Sequence, residues 1–309
     1  MKYRPLGKTG MQVSVLGLGT APLGGTYGGF DRAEGIRAVH TALDLGINLI
    51  DTAPYYGITR SETALGEALQ GIPRDRYFLS TKVGRYGNDD FDFSAGRMSK
   101  SINASLARLR TDYLDILIVH DIEFRSIKQI LNETLPELRK IQAQGKFRWL
   151  GVSGLPLKIY PSVLDHASLD LILSYCHYCL NDNSLAALVP YLQSKEVGVI
   201  SAAPTAMGLL TQSGPPDWHP ASKEIKRVCA QAAEYCALQG ADLTRLAIQY
   251  AVANPEFANT LVGSAVPAQV ADNVKWAEEP LNLELVAEVA KILAPIHNQT
   301  WQSGLAENN

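Results

Sequence analysis

Short apolar runs alternate with amphipathic stretches along most of the chain. Eight runs recur in order: VSVLGLG, INLID, YFLSTKV, YLDILIVH, FRWLGVS, LDLILSY, VGVISAA and NTLVGS. Between most of them, as in AEGIRAVHTALDLG and SIKQILNETLPELRKIQAQG, apolar residues recur every three or four positions. The runs are typical of buried β-strands and the longer stretches of amphipathic helices. Strands that alternate with helices predict a parallel sheet.

Eight such units favour a closed (β/α)8 TIM barrel, in which helices cover the parallel strands and catalytic groups gather at the C-terminal strand ends. The opening KYRPLGKTGMQVSVLG has apolar arms around a polar turn, which predicts an N-terminal β-hairpin that plugs the barrel bottom. Extra C-terminal helices are predicted from KEIKRVCAQAAEYCALQG, TRLAIQYAVAN and LELVAEVAKILAPI. Because no Pro/Gly-rich linker divides the chain, we expect residues 1–309 to form a single domain.

Composition limits the classes of partner. The formal net charge is -3 and no dense Lys/Arg stretch occurs, which argues against a nucleic-acid or anionic-membrane surface. No segment reaches the ~18 apolar residues of a membrane span, and the N-terminus lacks the apolar core of a secretion signal. We therefore expect a cytosolic protein that acts on a small molecule, and infer no protein partner.

The motif CHYC, Cys176 to Cys179, has a zinc-like spacing with His177 inside it. Structural zinc takes four ligands, and no similar second pair follows, since Cys229 and Cys236 lie in a helical pattern. Four cysteines in so long a chain also do not suggest a disulfide framework. We expect reduced thiols and no metal site.

Polar residues stand at the ends of three consecutive predicted strands: Asp51 and Tyr56 in NLIDTAPYYG, Lys82 in FLSTKVGRY, and His120 in LDILIVHD. A phenol titrates near ~10 and becomes a useful base at neutral pH only when a cation favours its phenolate. Lys82 could lower the pKa of Tyr56, Asp51 could hold the ammonium, and His120 could hydrogen-bond the reacting oxygen. The pattern predicts a proton-transfer site.

Each of these residues also has a simpler interpretation. Asp51 could cap a helix, Lys82 could be a surface side chain, and His120 could be a hydrogen-bonded core histidine. Tyr55 competes with Tyr56 for the role of the phenol. The three simple interpretations together are less satisfactory, because an unpaired charge at the end of an apolar strand costs several kcal/mol.

The segment LGLGTAPLGG resembles a dinucleotide-binding fingerprint. Gly17, Gly19 and Pro22 give G-x-G-x-x-P, whereas a Rossmann loop opens a helix directly after its glycines. We interpret the segment as the first barrel strand, whose glycines let the backbone come close to a ligand.

The motifs DTAPYYG, STKVG, ILIVHD, WLGVSG and LVGSAVPAQVADN together resemble the aldo-keto reductase superfamily, and KVGRYGNDDFDFSAGR and LILSYCHYCLND are similar to its plant-type sugar-oxidising branch. The resemblance implies a nicotinamide-dependent dehydrogenase that oxidises an aldose at C1 to a lactone. L-galactose is the aldose that it favours. Asp51, Tyr56, Lys82 and His120 would be the catalytic set, with Tyr56 and His120 touching the substrate. Oxidation of L-fucose or D-arabinose, an NADPH-dependent carbonyl reductase, and a non-catalytic nucleotide-binding redox sensor stay open.

The resemblance also implies cofactor-binding residues. They are Ser153 and Ser174 for the carboxamide, Ser201, Met207, Gly208 and Leu209 in the loop SAAPTAMGLL for the pyrophosphate, and Asp272 and Asn273 for the adenine. The backbone amides of the loop would contact phosphate oxygens. The alternative is an ordinary strand-to-helix loop, because Gly and Pro punctuate all such loops.

The choice between NAD and NADP is indicated by the loop that follows the last predicted strand, NTLVGS. NADP-preferring members of the superfamily commonly carry a lysine before its serine, here Ser264, and an arginine five residues beyond. Those positions are Gly263 and Gln269. A dianionic 2′-phosphate without cationic partners is poorly held, whereas a ribose hydroxyl needs only hydrogen bonds. The resemblance therefore implies NAD.

Five further residues are candidates for the sugar pocket. Trp218 and His219 in PPDWHP could line it, because an aromatic face can stack on a pyranose, and the alternative is an anchor for the loop. Arg85, Tyr86 and Glu123 are similar candidates, with surface ion pairing as the competing interpretation.

Overall fold

A hairpin and a closed parallel barrel account for all the strands in residues 1–29 and 31–309, which the computed structural model describes. The hairpin pairs β1 (Tyr3–Pro5) with β2 (Gln12–Ser14) in antiparallel register. The barrel strands are β3 (Leu16–Gly19), β4 (Leu49–Asp51), β5 (Phe78–Val83), β6 (Leu114–Val119), β7 (Phe147–Gly154), β8 (Leu171–Tyr175), β9 (Gly198–Ala202) and β10 (Asn259–Gly263). Each pairs with the next along the chain, and β10 pairs with β3 to close the ring.

Helices follow the strands around the outside. They are α1 (Arg32–Asp44), α2 (Arg60–Ala68), α3 (Ala95–Leu109), α4 (Ile127–Gln129), α5 (Leu135–Ala143), α6 (Ile159–Leu164), α7 (Val189–Ser194), α8 (Lys223–Leu238), α9 (Leu243–Ala253), α10 (Pro267–Glu278) and α11 (Leu283–Leu293). A π-helical segment, Ile130–Thr134, joins α4 to α5. The predicted (β/α)8 barrel is confirmed. Among the described residues, none of the helices is both long and apolar enough to cross a membrane.

The hairpin closes the bottom of the barrel, as predicted. Leu6, Met11 and Val13 are buried in one cluster with Ile116 and Leu171 from the barrel strands. Burying apolar area contributes roughly 25 cal/mol per Å², so this contact both fills the interior and fixes the hairpin. Chemistry is therefore left to the opposite, C-terminal rim.

The first barrel strand uses its glycines differently from the prediction. A Cβ on Gly17 would lie 2.6 Å from the side chain of Asn259 on β10, so the residue is small because the interior is filled there. At Gly19 a Cβ would meet nothing closer than 3.6 Å, at Gly263. The expectation of a close ligand approach is wrong for Gly17, and only Gly19 leaves space at the rim.

Candidate active site

Lys82 is the centre of a buried polar cluster at the C-terminal ends of β4 and β5. Its Nζ donates to a carboxylate oxygen of Asp51, to the backbone oxygen of Thr52 at 2.8 Å and to the Tyr56 hydroxyl at 3.1 Å. Ser80 donates to the other Asp51 oxygen at 2.8 Å. Because an ammonium has three donors and all three are used, Lys82 cannot turn away from Tyr56. The structure thus brings these three predicted residues into contact.

Burial sets the direction of the pKa shifts in this cluster. Burial raises the pKa of Tyr56, the Lys82 ammonium opposes the rise, and Asp51 adds to it. Burial lowers the pKa of Lys82, but the Asp51 carboxylate and the Tyr56 oxygen outweigh it, so the net pKa is raised. Lys82 therefore lowers the pKa of Tyr56, as expected, but desolvation of the phenolate is the larger effect, so the net pKa is raised. At neutral pH the site holds a phenol beside an ammonium.

His120 faces Tyr56 across the rim. The two ring centroids are 5.8 Å apart and the planes are nearly perpendicular, at 89°. Burial, reinforced by Lys82 and Arg85, lowers the pKa of His120 well below its usual value, so the imidazole is neutral. Its Nε2 lies 3.7 Å from a carboxylate oxygen of Asp121, which favours the tautomer protonated at Nε2. His120 can then donate to an oxygen held between it and Tyr56.

Tyr55 and Tyr56 have different surroundings although they are adjacent. The Tyr55 hydroxyl donates to Asn88 at 3.2 Å, and its ring lies 3.8 Å from the guanidinium of Arg85. Of the two hydroxyls, it is that of Tyr56 that reaches Lys82. The geometry therefore favours Tyr56 as the proton-transfer group.

A close backbone approach places Tyr56. A Cβ on Gly57, whose φ is 63°, would lie 2.1 Å from the backbone oxygen of Gly24, and a Cβ on Gly24 would lie 2.6 Å from the backbone of Tyr56. Glycine is needed at both positions, for space and, at Gly57, for backbone conformation. The loop after β3 thus packs directly on the turn that carries the phenol.

Asp121 belongs to the site, although sequence reasoning missed it. Its Oδ2 accepts a hydrogen bond from Arg85 Nη1 at 2.6 Å, and its backbone N–H donates to Ser153 Oγ at 3.3 Å. The signal was present in the sequence, since Asp121 directly follows His120 at the end of β6. Arg85 is in a partly buried ion pair at the rim, so it is not a surface residue with a solvent-exposed partner.

Glu123 and Tyr86 lie away from the reacting groups. The Glu123 carboxyl is fully buried and accepts from the Leu155 N–H at 3.1 Å and the Ser303 hydroxyl at 2.8 Å. Burial and the nearby Asp121 raise the pKa of Glu123 to about 8. Its surface interpretation is wrong, because the C-terminal tail covers it. The Tyr86 ring lies 4.3 Å from the guanidinium of Arg97, and the structure does not bring it to the catalytic four.

Trp218 and His219 have separate roles at the mouth. Trp218 is 52% exposed, and its ring lies 5.7 Å from that of Tyr27. His219 is buried; its Nε2 donates to the backbone oxygen of Ala206 at 3.1 Å and its Nδ1 accepts from the Ala221 N–H at 3.1 Å. His219 therefore anchors the loop, and Trp218 stands at the rim.

Strand alternation excludes two of the predicted cofactor contacts. Side chains of a strand point alternately to the two faces. Leu173 belongs to the barrel interior, whereas Ile172 and Val199 pack under the helices. Ser174 and Ser201, two residues further on, share that outer face and are register partners. Their assignment to the carboxamide and the pyrophosphate is wrong in this structure, because neither hydroxyl faces the barrel mouth.

The loop after β9 has an unusual backbone. Met207 and Gly208 have positive φ angles of 54° and 102°. The Gly208 N–H donates to the Thr205 oxygen at 3.1 Å and the Leu209 N–H to the Ala206 oxygen at 3.3 Å. Two of the three amides predicted to contact phosphate are therefore already satisfied within the loop, and the phosphate site is not preformed at them.

The loop between β10 and α10 has no cation at the two positions considered for cofactor choice. Gly263 ends β10, and the exposed Gln269 accepts from the Ser264 hydroxyl at 3.0 Å. Further along α10, Asp272 is exposed and Asn273 is buried. This arrangement leaves hydrogen-bonding groups, but no positive charge, at positions 263 and 269.

The CHYC motif does not resemble a metal centre. Cys176 and Cys179 are buried and free, and His177 Nδ1 lies 3.1 Å from Asp182 and 3.0 Å from Ser184. Within residues 1–29 and 31–309, no three His, Cys, Asp or Glu side chains are grouped to hold a metal ion.

Known proteins similar to this chain include two sugar dehydrogenases. The L-galactose dehydrogenase of Arabidopsis thaliana is 49% identical over 317 residues, a match that covers 100% of the chain and 99% of that protein. The D-arabinose 1-dehydrogenase of Saccharomyces cerevisiae is 38% identical over 257 residues, covering 78% of the chain and 75% of that protein.

A solved structure and a family profile also match this chain, and both are of aldo-keto reductases. The holo form of an aldo-keto reductase from Bacillus halodurans matches with a TM-score of 0.79 and 27% sequence identity, over 98% of this chain and 99% of that one. The profile of the Aldo/keto reductase family matches residues 15–294. The chain therefore belongs to the aldo/keto reductase family, whose members use nicotinamide cofactors.

Proposed function

We propose that this protein is an aldose 1-dehydrogenase that oxidises L-galactose at C1 to the lactone, with NAD as the hydride acceptor. The observation that carries the proposal is the contact chain from Asp51 through Lys82 to the Tyr56 hydroxyl, opposite a neutral His120. Similarity over the full chain to a protein named L-galactose dehydrogenase supports the choice of sugar. No other partner is needed for this activity.

The residues give the reaction a definite proton path. The C1 hydroxyl of the sugar would lie between the Tyr56 oxygen and His120 Nε2. Tyr56, as phenolate, takes the hydroxyl proton, and Lys82 stabilises the phenolate while Asp51 holds Lys82 in place. His120 donates to the oxygen that becomes the lactone carbonyl. The bound nicotinamide supplies the acceptor for the C1 hydride.

The rim fits a nicotinamide dinucleotide at several points. Gly19 and Gly263 are register partners on β3 and β10, so no side chain fills that part of the rim. The Ser153 hydroxyl faces inward and accepts from the Asp121 N–H, and within the described chain its own proton has no acceptor. Ser153 can therefore donate to a carboxamide oxygen. Asn273, buried on α10, can bond an adenine edge.

NAD is expected to be preferred over NADP by at least about tenfold in kcat/KM, equivalent to ~1.4 kcal/mol. The reason is that Gly263 and Gln269 offer no cation to a 2′-phosphate. Steady-state kinetics with both cofactors measure the preference.

The double variant Gly263→Lys with Gln269→Arg is the matching experiment. Both positions are exposed, so the changes leave the core untouched. The preference should move toward NADP, because two cations would then face the 2′-phosphate. Equal efficiency of the two cofactors in the wild type would contradict the proposal.

L-galactose is expected to be oxidised with higher kcat/KM than L-fucose, which lacks only the C6 hydroxyl. A site that hydrogen-bonds a hydroxyl leaves its own polar groups unpaired when that hydroxyl is absent, at a cost of ~1 to 3 kcal/mol. A spectrophotometric screen of aldoses with NAD measures the ranking and tests the proposed function directly.

The screen has two informative alternatives. If L-fucose or D-arabinose proves equal or better, the C6 side of the pocket is apolar or open and the enzyme is a broader aldose dehydrogenase. If D-galactose competes with them, the L-sugar assignment is wrong, since an enantiomer cannot satisfy the same contacts once C1 is held at Tyr56.

A further inference from the structure

We propose that Asp121 and Arg85 form a clamp for the hydroxyl on C2, the carbon next to the reacting carbon. The clamp would restrict the enzyme to substrates that carry a hydroxyl at that position. This inference rests on the proposed aldose oxidation and deepens it. The sequence pattern assigns no role to Asp121, and it makes Arg85 one of several candidates for the pocket.

Asp121 lies beside His120 at the rim. Its Oδ2 lies 3.7 Å from His120 Nε2, the nitrogen that would bond the C1 oxygen. In a sugar, the oxygens on C1 and C2 can stand about one hydrogen-bond length apart. When the C1 oxygen bonds Nε2, a C2 hydroxyl directed toward Asp121 therefore comes within reach of its carboxylate.

Because a carboxylate only accepts hydrogen bonds, Asp121 determines which ring neighbour of C1 lies beside it. In a pyranose, C1 has two neighbours, C2 with its hydroxyl and the ring oxygen. An ionised carboxylate only accepts hydrogen bonds, and a ring oxygen has no proton to donate. A carboxylate beside the C1 oxygen therefore selects the C2 side and fixes which way the ring lies in the pocket.

Both members of the pair retain unused hydrogen-bonding capacity. Oδ2 of Asp121 accepts from Arg85, and Oδ1 has no hydrogen bond to any described residue. On Arg85, Nη1 carries the one hydrogen bond seen within the described chain, and the buried Nε has no partner there. The pair can accept from a substrate hydroxyl through Asp121 and donate to its oxygen through Arg85.

Arg85 is held in place independently of any ligand. Its guanidinium lies 3.8 Å from the ring centroid of Tyr55, 5.2 Å from that of Phe91 and 5.5 Å from that of Phe124. Aromatic faces attract a guanidinium and restrict its orientation. The pair with Asp121 is therefore organised before a sugar binds, so little ordering remains for the binding step.

The local backbone also suggests a functional reason for Asp121. It is a non-glycine residue in the left-handed region, with φ 52° and ψ 59°. Burial raises its pKa even though Arg85 opposes the rise. A strained, buried acid is retained where the surrounding structure has a use for it, and such positions cluster at ligand sites.

The test compares an aldose with its 2-deoxy analogue in the wild type and in variants. In the wild type, removal of the C2 hydroxyl should lower kcat/KM on the order of 10- to 100-fold. Asn has the size of Asp and tolerates the left-handed backbone, so Asp121→Asn should fold normally. In this variant kcat/KM for the parent sugar should fall, and the kcat/KM values of the two sugars should come within about threefold of each other. Arg85→Lys should shrink the ratio in the same direction.

Two controls separate this effect from general damage. Asp89→Asn removes an exposed acid from the loop after β5 and should leave the ratio of the two sugars unchanged. Binding of NADH, followed by its fluorescence, should be the same in Asp121→Asn as in the wild type.

The outcomes distinguish the clamp from the activity on which it rests. If the wild type oxidises the aldose and its 2-deoxy analogue equally well, the clamp is wrong and the proposed function stands. If Asp121→Asn lowers kcat/KM for both sugars by the same factor, Asp121 only supports the loop or His120, and the clamp is again overturned. If the wild type oxidises no aldose with either cofactor, the proposed function and the clamp fall together.

Discussion

Replacing Tyr56 with Phe is expected to lower aldose turnover by about 10²-fold or more, the usual scale for losing a positioned proton-transfer group. The change removes one oxygen, which contacts Lys82 Nζ at 3.1 Å. The ring remains, so packing against His120 is kept. Steady-state kcat measures the effect, and NADH fluorescence should show that nucleotide binding persists.

Tyr55→Phe is the matched control for this prediction. It removes the same atom from the neighbouring residue, whose hydroxyl bonds Asn88. The ring that contacts Arg85 is kept, so turnover should fall far less. Near-normal turnover in Tyr56→Phe would show that another group moves the proton.

Lys82→Met is expected to cause a comparable loss at neutral pH and to move the pH profile of oxidation to higher pH. Oxidation requires the Tyr56 phenolate, so the rate rises as pH approaches the raised pKa of Tyr56. Lys82 opposes that rise, whereas Asp51 and Asp121 reinforce it. Removing the ammonium therefore raises the Tyr56 pKa further, because only the effects that disfavour the phenolate remain. The profile of kcat against pH shows the shift.

The effect of Lys82→Met on activity must also be distinguished from a loss of stability. Without Lys82, the Asp51 carboxylate is buried without its ion-pair partner, which destabilises a protein by ~3 to 5 kcal/mol. The double variant Asp51→Asn with Lys82→Met removes both charges and should recover stability but not activity at neutral pH. Lys100→Met, an exposed lysine on α3, is the surface control. An unchanged pH profile in Lys82→Met would contradict the assigned role.

The amino-acid pattern by itself determined the architecture. Eight apolar runs became β3 to β10 because continuous apolar runs and helical amphipathicity are local properties that packing did not override. It also determined where the chemistry lies. Asp51, Lys82 and His120 each end an apolar run, and parallel strands bring such ends to one rim.

Only the tertiary structure decided what surrounds each group. Desolvation outweighs the lowering effect of Lys82 on the pKa of Tyr56, so the net pKa of the phenol is raised. The register turned Ser174 and Ser201 away from the mouth, since a strand shifted by one residue exchanges its faces. Glu123 became a buried acid because Ser303, 180 residues later in the chain, packs over it. These properties depend on contacts between distant segments, which no local pattern records.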